Sequence, residues 1–357
     1  VIVIDGSYGE GGGQVLRTSL ALSALTGQPL RIERIRAGRR KPGLRPQHLT
    51  GLRAAAKLCD ATVEGAKLNA QEITFVPRSP VQTGTYTFDV AQVAKGGSAG
   101  SVSLIMQTVL LPLALTTGTS QLTLRGGTHV AWSPPYDYLK RVYLPTLVRM
   151  GIRAKVNIRK WGWYPKGGGE VQATVEGLGT GTTQPFPSSL LGGLDLHKRG
   201  ELLRVRGVSA SSNLPKHIRV RQEGAALQRL RSNSVNARID VIDAPSKGQG
   251  TVVFLWAEFE NALAGFTSLG ERGKPAERVA EEAADDLLTF LRSDAAVDRH
   301  LADQVVLPLA LAAGASRFST EAVTLHLLTN AWVVNQFLPD RVQVEGEEGA
   351  PGICRIG

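Results

Sequence analysis

The ten residues Leu111-Pro-Leu-Ala-Leu-Thr-Thr-Gly-Thr-Ser120 return almost unchanged as Leu307-Pro-Leu-Ala-Leu-Ala-Ala-Gly-Ala-Ser316. Each copy ends an apolar helical pattern and leads into an alternating strand pattern, Gln121-Leu-Thr-Leu in one and Arg317-Phe-Ser-Thr in the other. A looser third copy is Thr18-Ser-Leu-Ala-Leu-Ser-Ala-Leu-Thr-Gly27, which runs into Pro29-Leu-Arg-Ile-Glu-Arg-Ile35. In this copy glycine stands just past the helix, where a C-terminal residue needs positive φ. Repetition of this kind constrains a fold more than any single motif does.

A second helix pattern follows each strand, at about 46–59, 136–150 and 324–337, and further strand pattern follows at 62–76, 152–175 and 341–356. The repeated unit is therefore strand, helix, strand, helix, two strands, which reads as an α+β fold of three βαβαββ units. One such unit leaves an apolar face uncovered, and three packed around a common axis cover it. Between the second and third copies, residues 178–189 are rich in Gly, Thr, Ser and Pro and read as a linker. Strand (201–208), helix (214–231) and two strand patterns (236–243, 250–258) follow, then Gly270-Glu-Arg-Gly-Lys-Pro275. The expected division is a main domain of 1–179 plus 276–357, with an inserted α+β domain at 180–275. The acidic helix 276–292 is expected to return the chain to the main body.

The chain has 357 residues, 42% of them hydrophobic, and no apolar run long enough for a membrane span. Its two cysteines, Cys59 and Cys354, lack metal-ligand spacing. That excludes a zinc–cysteine site and, with no secretory-type opening, predicts a cytoplasmic protein. The formal charge of +10 points to a polyanionic partner. Arg31, Arg34, Arg36, Arg39, Arg40, Lys41 and Arg45 concentrate that charge in a segment punctuated by Gly38, Pro42 and Gly43, which favours phosphate binding over a merely solvated loop.

Gly6-Ser-Tyr-Gly-Glu-Gly-Gly-Gly-Gln14 precedes the first helix yet fits neither G-x-x-x-x-G-K-[ST] nor G-x-G-x-x-G with its distant acid. Nucleotide-binding folds built on those loops are disfavoured. The loop instead brings Glu10, Gln14 and Arg17 to a helix N-terminus. A carboxylate there is either a helix-dipole partner or a hard ligand for Mg²⁺ beside phosphate-binding groups.

Of six histidines, His197 and His217 read as surface residues, His129 lies in a turn, and His48 follows the basic loop with Gln47 before it. His300 heads His300-Leu-Ala-Asp-Gln304, and His326 stands among apolar residues in Thr324-Leu-His-Leu-Leu-Thr-Asn330. By pattern alone, a histidine so placed is more often a core residue than a catalyst.

The combination resembles the RNA 3′-terminal phosphate cyclase family. The resemblance rests on Asp5-Gly6, Gly9-Glu-Gly-Gly-Gly-Gln-Val-Leu-Arg17, Ile35-Arg-Ala-Gly-Arg39, Lys41-Pro-Gly-Leu44 and Gln47-His-Leu49. It extends through Gly97-Ser-Ala-Gly-Ser101, Gln107-Thr-Val-Leu110, Gly126-Gly-Thr128, Tyr164-Pro-Lys-Gly-Gly-Gly169, Leu301-Ala-Asp-Gln304 and His326-Leu-Leu-Thr-Asn330, and is weakest across 180–270. It implies three repeated units of the kind seen in enolpyruvyl transferases, with a smaller inserted domain. It also implies a ligase-type nucleotidyl transfer that turns an RNA 3′-phosphate into a 2′,3′-cyclic phosphodiester using ATP. The reaction runs through a histidine–AMP adduct and an RNA-(3′)pp(5′)A end.

Carried over by position, the nucleophile is His326 and the divalent-metal ligand, for Mg²⁺ or Mn²⁺, is Glu10. Gln107, His300, Leu301, Ala302, Asp303 and Gln304 are expected to contact ATP. Gln14, Arg17, Arg36, Arg39, Gln47 and His48 are expected at phosphates of ATP or of the RNA end. The family pattern has tyrosine where His300 stands, which changes the stacking surface for adenine. The resemblance leaves a homodimer open. Competing readings are a non-catalytic homologue without the nucleophilic histidine, an enolpyruvyl transferase, and an RNA-end-binding module without turnover. The presence of His326 and the basic charge speak against the first two.

Overall fold

The computed structural model describes residues 1–94, 97–179 and 188–357. The first unit comprises strand Ile2–Asp5, helix α1 (Gly13–Thr26), strand Leu30–Glu33, helix α2 (Pro46–Leu58) and strands Thr62–Glu64 and Ile73–Val76. The second has strand Thr85–Asp89, helix α3 (Val102–Ala114), strand Thr119–Gly126, helical segment α4 (136–148) and strands Arg153–Lys160 and Gly169–Glu176. In each unit the first two strands pair in parallel, the last strand pairs antiparallel to the second, and the fifth element lies at the edge.

The third unit follows the same order with its first strand at Asp195–Leu196, parallel to Ser316–Thr320. This moves the expected boundary, because the main body reclaims residues 195–196 before the insert begins. Strands Val342–Glu345 and Gly352–Ile356 complete its sheet. The Ser/Thr/Pro-rich linker assignment falls largely on 180–187, outside the described residues.

The repeated LPLAL stretch explains how its helices end. Pro112 and Pro308 sit within the last turns of α3 and of helix α7 (Arg299–Leu311), where a missing N–H and ring clash stop the helix within three residues. Gly27, Gly118 and Gly314 then take φ of 69°, 73° and 83°, the left-handed conformation that lets the chain turn into the next strand. In α4 the segment Leu139–Tyr143 winds as a π-helix just ahead of Pro145, whose missing donor breaks the regular ladder.

Helices from all three units meet in one core, and each sheet covers it with one face. Strand Thr119–Gly126 alternates accordingly, burying Ser120, Leu122, Leu124 and Gly126. Phe318, fully buried on strand Ser316–Thr320, plugs the third unit. Phe318→Ala is expected to lower stability by about 3–5 kcal/mol, measured by urea denaturation, and a change under 1 kcal/mol would contradict its place in the core.

The insert is a four-stranded sheet (Ala237–Asp243, Leu202–Ser212, Gly250–Phe259, Leu263–Leu269) with helix α5 (Lys216–Arg231) and helix α6 (Ala276–Arg292). Strand Gly250–Phe259 reads as an unbroken apolar run because both faces are covered, one by its own helices and the other by the main body. The expectation that helix 276–292 belongs to the main body is corrected here. Its apolar stripe, Val279, Ala280, Ala283, Ala284, Leu287 and Phe290, packs with Val253, Leu255 and Phe266 of the insert.

Candidate active site

The glycine-rich loop lies across helix α8 (Leu325–Phe337) and is fastened there in three ways. The Tyr8 ring stacks on Trp332 with centroids 3.9 Å apart, and the Glu10 backbone N–H donates to Thr329 Oγ1 at 3.0 Å. Gly9 has φ +56°, and a Cβ there would lie 2.3 Å from Thr329 Oγ1, so only glycine permits this approach. Thr329 belongs to the His326-Leu-Leu-Thr-Asn330 motif but has no role among the residues expected at the site. Its signal was the spacing of His326, Thr329 and Asn330, which at i, i+3 and i+4 share one helical face.

This docking places Glu10 Oε2 3.8 Å from His326 Nδ1. The Glu10 side chain is only 15% exposed, while His326 is half exposed at the first turn of α8, behind the Thr324 cap whose hydroxyl accepts from Leu327 N–H. Arg39 reaches over from the basic loop, pairing with the Glu10 carboxylate and donating to the Glu10 carbonyl at 2.8 Å. Glu10 Oε2 remains buried without a hydrogen-bond donor. A buried carboxylate oxygen without a partner is costly unless something else satisfies it.

Arg17, one turn into α1, lies within this cluster and donates to Gln14 Oε1 at 2.6 Å. Gly13 makes the room, since a Cβ there would meet His48 Nε2 at 2.5 Å and Arg17 Nη1 at 2.8 Å. Burial lowers Arg17 to about 10, still cationic at neutral pH, with Asp303 opposing the shift. Burial raises Asp303 to about 7, against the pull of Arg17 and reinforced by Asp298. Burial, and then the charges of Arg17 and Arg39, bring His326 down to about 4. His48 is also held well below its ordinary value by burial and by Arg36, Arg17 and Arg45. Both imidazoles are therefore neutral at pH 7.

A polar chain crosses from unit to unit beneath this cluster. Gln14 donates to Thr18, Thr18 to Asn330 Oδ1 at 2.6 Å, and Asn330 to the Asp303 carbonyl at 2.6 Å. Gln107 donates to Gln304 Oε1 at 2.8 Å, and Gln304 to the His300 carbonyl at 2.6 Å. Gln14, Arg17, Gln107, Gln304 and Asn330 line one narrow cavity together with Tyr143. Tyr143 and Asn330 were absent from the sequence-based set.

Several expected residues are placed differently. Leu301 and Ala302 are buried in the core, and their N–H groups are committed to Asp298, the cap of α7, so a ligand-contacting role does not fit them. Arg36 donates to the carbonyls of Lys41 (2.7 Å) and Gly43 (3.0 Å), bracing its own loop. Gln47 accepts from Ser101 N–H at 3.1 Å, tying the first unit to the second. His300 is exposed at the start of α7, edge-on to Tyr138 with centroids 6.5 Å apart.

No group of three or more His, Cys, Asp or Glu side chains among the described residues could cage a metal ion. A single buried carboxylate with an unsatisfied oxygen, ringed by cations, does fit a divalent ion that arrives already coordinated by phosphates. Mg²⁺ commonly binds in this way. The arrangement sets a neutral imidazole at a helix N-terminus among guanidiniums, which suits nitrogen attack on a phosphorus centre.

The chain is similar to known proteins along nearly its whole length. The family model described as RNA 3′-terminal phosphate cyclase matches residues 8–344. The RNA 3′-terminal phosphate cyclase of Methylococcus capsulatus is 51% identical over 355 residues, covering 99% of this chain and 95% of that protein. The protein of the same name from Nostoc punctiforme is 50% identical, covering 94% of each chain. The one from Pyrobaculum neutrophilum is 44% identical, covering 96% of this chain and 94% of that protein. The chain belongs to the RNA 3′-terminal phosphate cyclase family.

Proposed function

We propose that this chain uses ATP to convert an RNA 3′-terminal phosphate into a 2′,3′-cyclic phosphodiester through a covalent adduct on His326. The observation that carries the reading is the neutral His326 imidazole 3.8 Å from Glu10, with Arg17 and Arg39 close enough to depress its protonation.

In the first step an imidazole nitrogen attacks the α-phosphorus of ATP. An N–P bond forms, the bond from phosphorus to the bridging oxygen breaks, and pyrophosphate leaves. Arg17 and Arg39 stabilise the negative charge that builds on non-bridging oxygens. The positive end of α8 adds to this field. In the second step an oxygen of the RNA 3′-phosphate attacks the same phosphorus, the P–N bond breaks and neutral imidazole returns. In the third, the adjacent 2′-hydroxyl attacks the 3′-phosphorus, loses its proton and expels AMP, closing the ring with the advantage of an intramolecular reaction. Glu10 would hold a divalent ion, which when bound supplies charge neutralisation at the phosphates. Gln107 and Gln304 would take polar groups of ATP, and Arg17, with Gln14 and His48 packed about it, would receive phosphate.

The test uses an oligoribonucleotide carrying a labelled 3′-phosphate, incubated with ATP and Mg²⁺ or Mn²⁺. The label is expected to become resistant to phosphatase, one AMP being released per protected end. ATP-independent binding with no protection of the end would instead make the chain an RNA-end-binding module.

The pH response follows from His326. An ordinary histidine loses its nucleophilic form below 6.5, whereas this one keeps it down to about 4. Adduct formation from ATP is therefore expected to show no acid limb near 6.5, its first loss on the acid side coming closer to 4–5. Arg39→Ala, which removes one opposing charge, moves that limb upward. The sign for folding is the reverse of a salt-bridged histidine. Between about 4 and 6.5 the unfolded chain binds the proton that the folded chain refuses, so His326 lowers stability as pH falls through that window. A rate profile with a limb at 6.5 would show that the site does not hold His326 neutral.

A further inference from the structure

Two aromatic side chains stand out of the surface on turns that touch each other. Trp132 is 100% exposed and Tyr164 80%, the highest values among large apolar side chains of the described residues apart from the terminal Val1. Rings this exposed on adjoining turns contribute little burial to folding. Trp132 also holds φ at 62°, a backbone conformation that a bulky residue adopts at a cost. The turns beneath them are firmly built. Thr128 and His129 N–H groups both donate to the Gly162 carbonyl (2.9 and 3.2 Å), and Gly162 N–H returns a bond to Thr128 Oγ1 at 2.9 Å. Below, the His129 ring stacks on Trp161 with centroids 4.0 Å apart and bonds Asp137 at 2.9 Å. Ser133 Oγ donates to the Val130 carbonyl, and Gly167 N–H to the Trp163 carbonyl.

These turns are joined to the candidate active site through the segment 98–101. Gly127, at the root of the Trp132 turn, bridges to Ser101, and Gly167, behind Tyr164, bridges to Ser98. The Ser101 N–H is held by Gln47, whose neighbour His48 packs against Gly13 and Arg17. Lys166, beside Tyr164, and Arg40 and Lys41 of the basic loop are exposed, with no side-chain ion pair or hydrogen bond among the described residues. Tyr164 and Lys166 thus set an exposed π-face beside an uncommitted cation, and the basic loop adds two more uncommitted cations. That combination binds single-stranded nucleic acid with little sequence preference, bases stacking on the rings while cations follow the backbone.

We infer that Trp132 and Tyr164, with Lys166, form a stacking platform for bases of the RNA strand upstream of the 3′-phosphate that His326 activates. The inference rests on the proposed reaction. Its occupant is single-stranded RNA, because the free charge beside Tyr164, on Lys166, is cationic and the turns are joined through residues 98–101 to the segment that carries Gln47 and His48.

The experiment compares the unaltered chain with Trp132→Ala, Tyr164→Ala, their double variant and Trp132→Phe. Three quantities are measured: KM for a 3′-phosphorylated oligoribonucleotide, kcat, and the rate of covalent AMP incorporation from ATP without RNA. Each alanine variant is expected to raise KM for RNA about tenfold, with kcat and AMP incorporation changed less than twofold. Trp132→Phe keeps most of the affinity, and quenching of Trp fluorescence on RNA binding is reduced in Trp132→Ala. An RNA KM within twofold of the unaltered chain in the double variant overturns the platform. So does a loss in AMP incorporation or in KM for ATP, which would assign Trp132 to the nucleotide. If the unaltered chain incorporates AMP but never protects an RNA end, the proposed reaction fails and the platform with it. If it protects RNA ends and the double variant does so equally well, only the platform fails.

Discussion

His326→Ala is expected to abolish covalent labelling by α-labelled ATP and to lower turnover by at least roughly four orders of magnitude, as loss of a nucleophile does. The adduct on the unaltered chain should be acid-labile and alkali-stable, because protonation of a phosphoramidate nitrogen makes it a good leaving group. The expectation rests on position as well as on residue type. The His326 side chain is half exposed at the first turn of its helix, so its removal should leave stability within about 0.5 kcal/mol. Loss of labelling therefore reports chemistry rather than unfolding. His48 supplies the control. It too is held neutral, but it is buried behind Gly13 with Nδ1 accepting from the Arg45 N–H at 3.1 Å, so it cannot present that nitrogen to a phosphorus atom. His48→Ala should weaken labelling yet leave the adduct detectable. Persistence of label in His326→Ala would transfer the nucleophile elsewhere and overturn the mechanism.

Much of this architecture was legible because the chain repeats itself. The LPLAL copies carry their own stop signals, proline within the last turn and glycine with positive φ, and these act through local sterics that sequence displays directly. The third unit was harder to read. Its first strand is just Asp195–Leu196, too short to show alternation, and it is separated from its own helix α7 by the entire insert. Helix α6 looked like a return to the main body because its amphipathic stripe says that a partner exists without saying which. In the site, Glu10, Arg17 and His326 were named from motifs, and the structure brings them together. Leu301 and Ala302 were swept in with Asp303 and Gln304 as one motif, although in a helix consecutive residues point in different directions and these two face the core. Thr329 and Asn330 stand in the His326 motif without a legible role, because their importance lies in what crosses to them from the first unit, 319 and 312 residues away along the chain. No local pattern records such a meeting.

Glu10→Gln is the second large effect expected, and its logic follows from the cation that already holds the carboxylate. As the chain stands, Arg39 covers one oxygen of Glu10 and leaves Oε2 buried without a donor. On the proposed reaction, a polyphosphate entering beside Arg17 would compete for Arg39, since an arginine fork binds phosphate as readily as carboxylate. The carboxylate so freed would offer both of its oxygens to a divalent ion, which would supply charge neutralisation at the phosphates. Glutamine keeps the shape and the contact with α8 but removes the charge. The apparent affinity for Mg²⁺ in adduct formation should therefore fall about tenfold to a hundredfold, the scale seen when a metal site loses a supporting group, with partial recovery at high metal concentration. Arg39→Ala provides the opposing case. It removes the competitor for the carboxylate, so its metal requirement should be unchanged or eased while its demand for ATP rises. The two variants separate the roles of the pair. If Glu10→Gln titrates with metal as the unaltered chain does, Glu10 serves only to anchor Arg39, and the metal is held by the substrate alone.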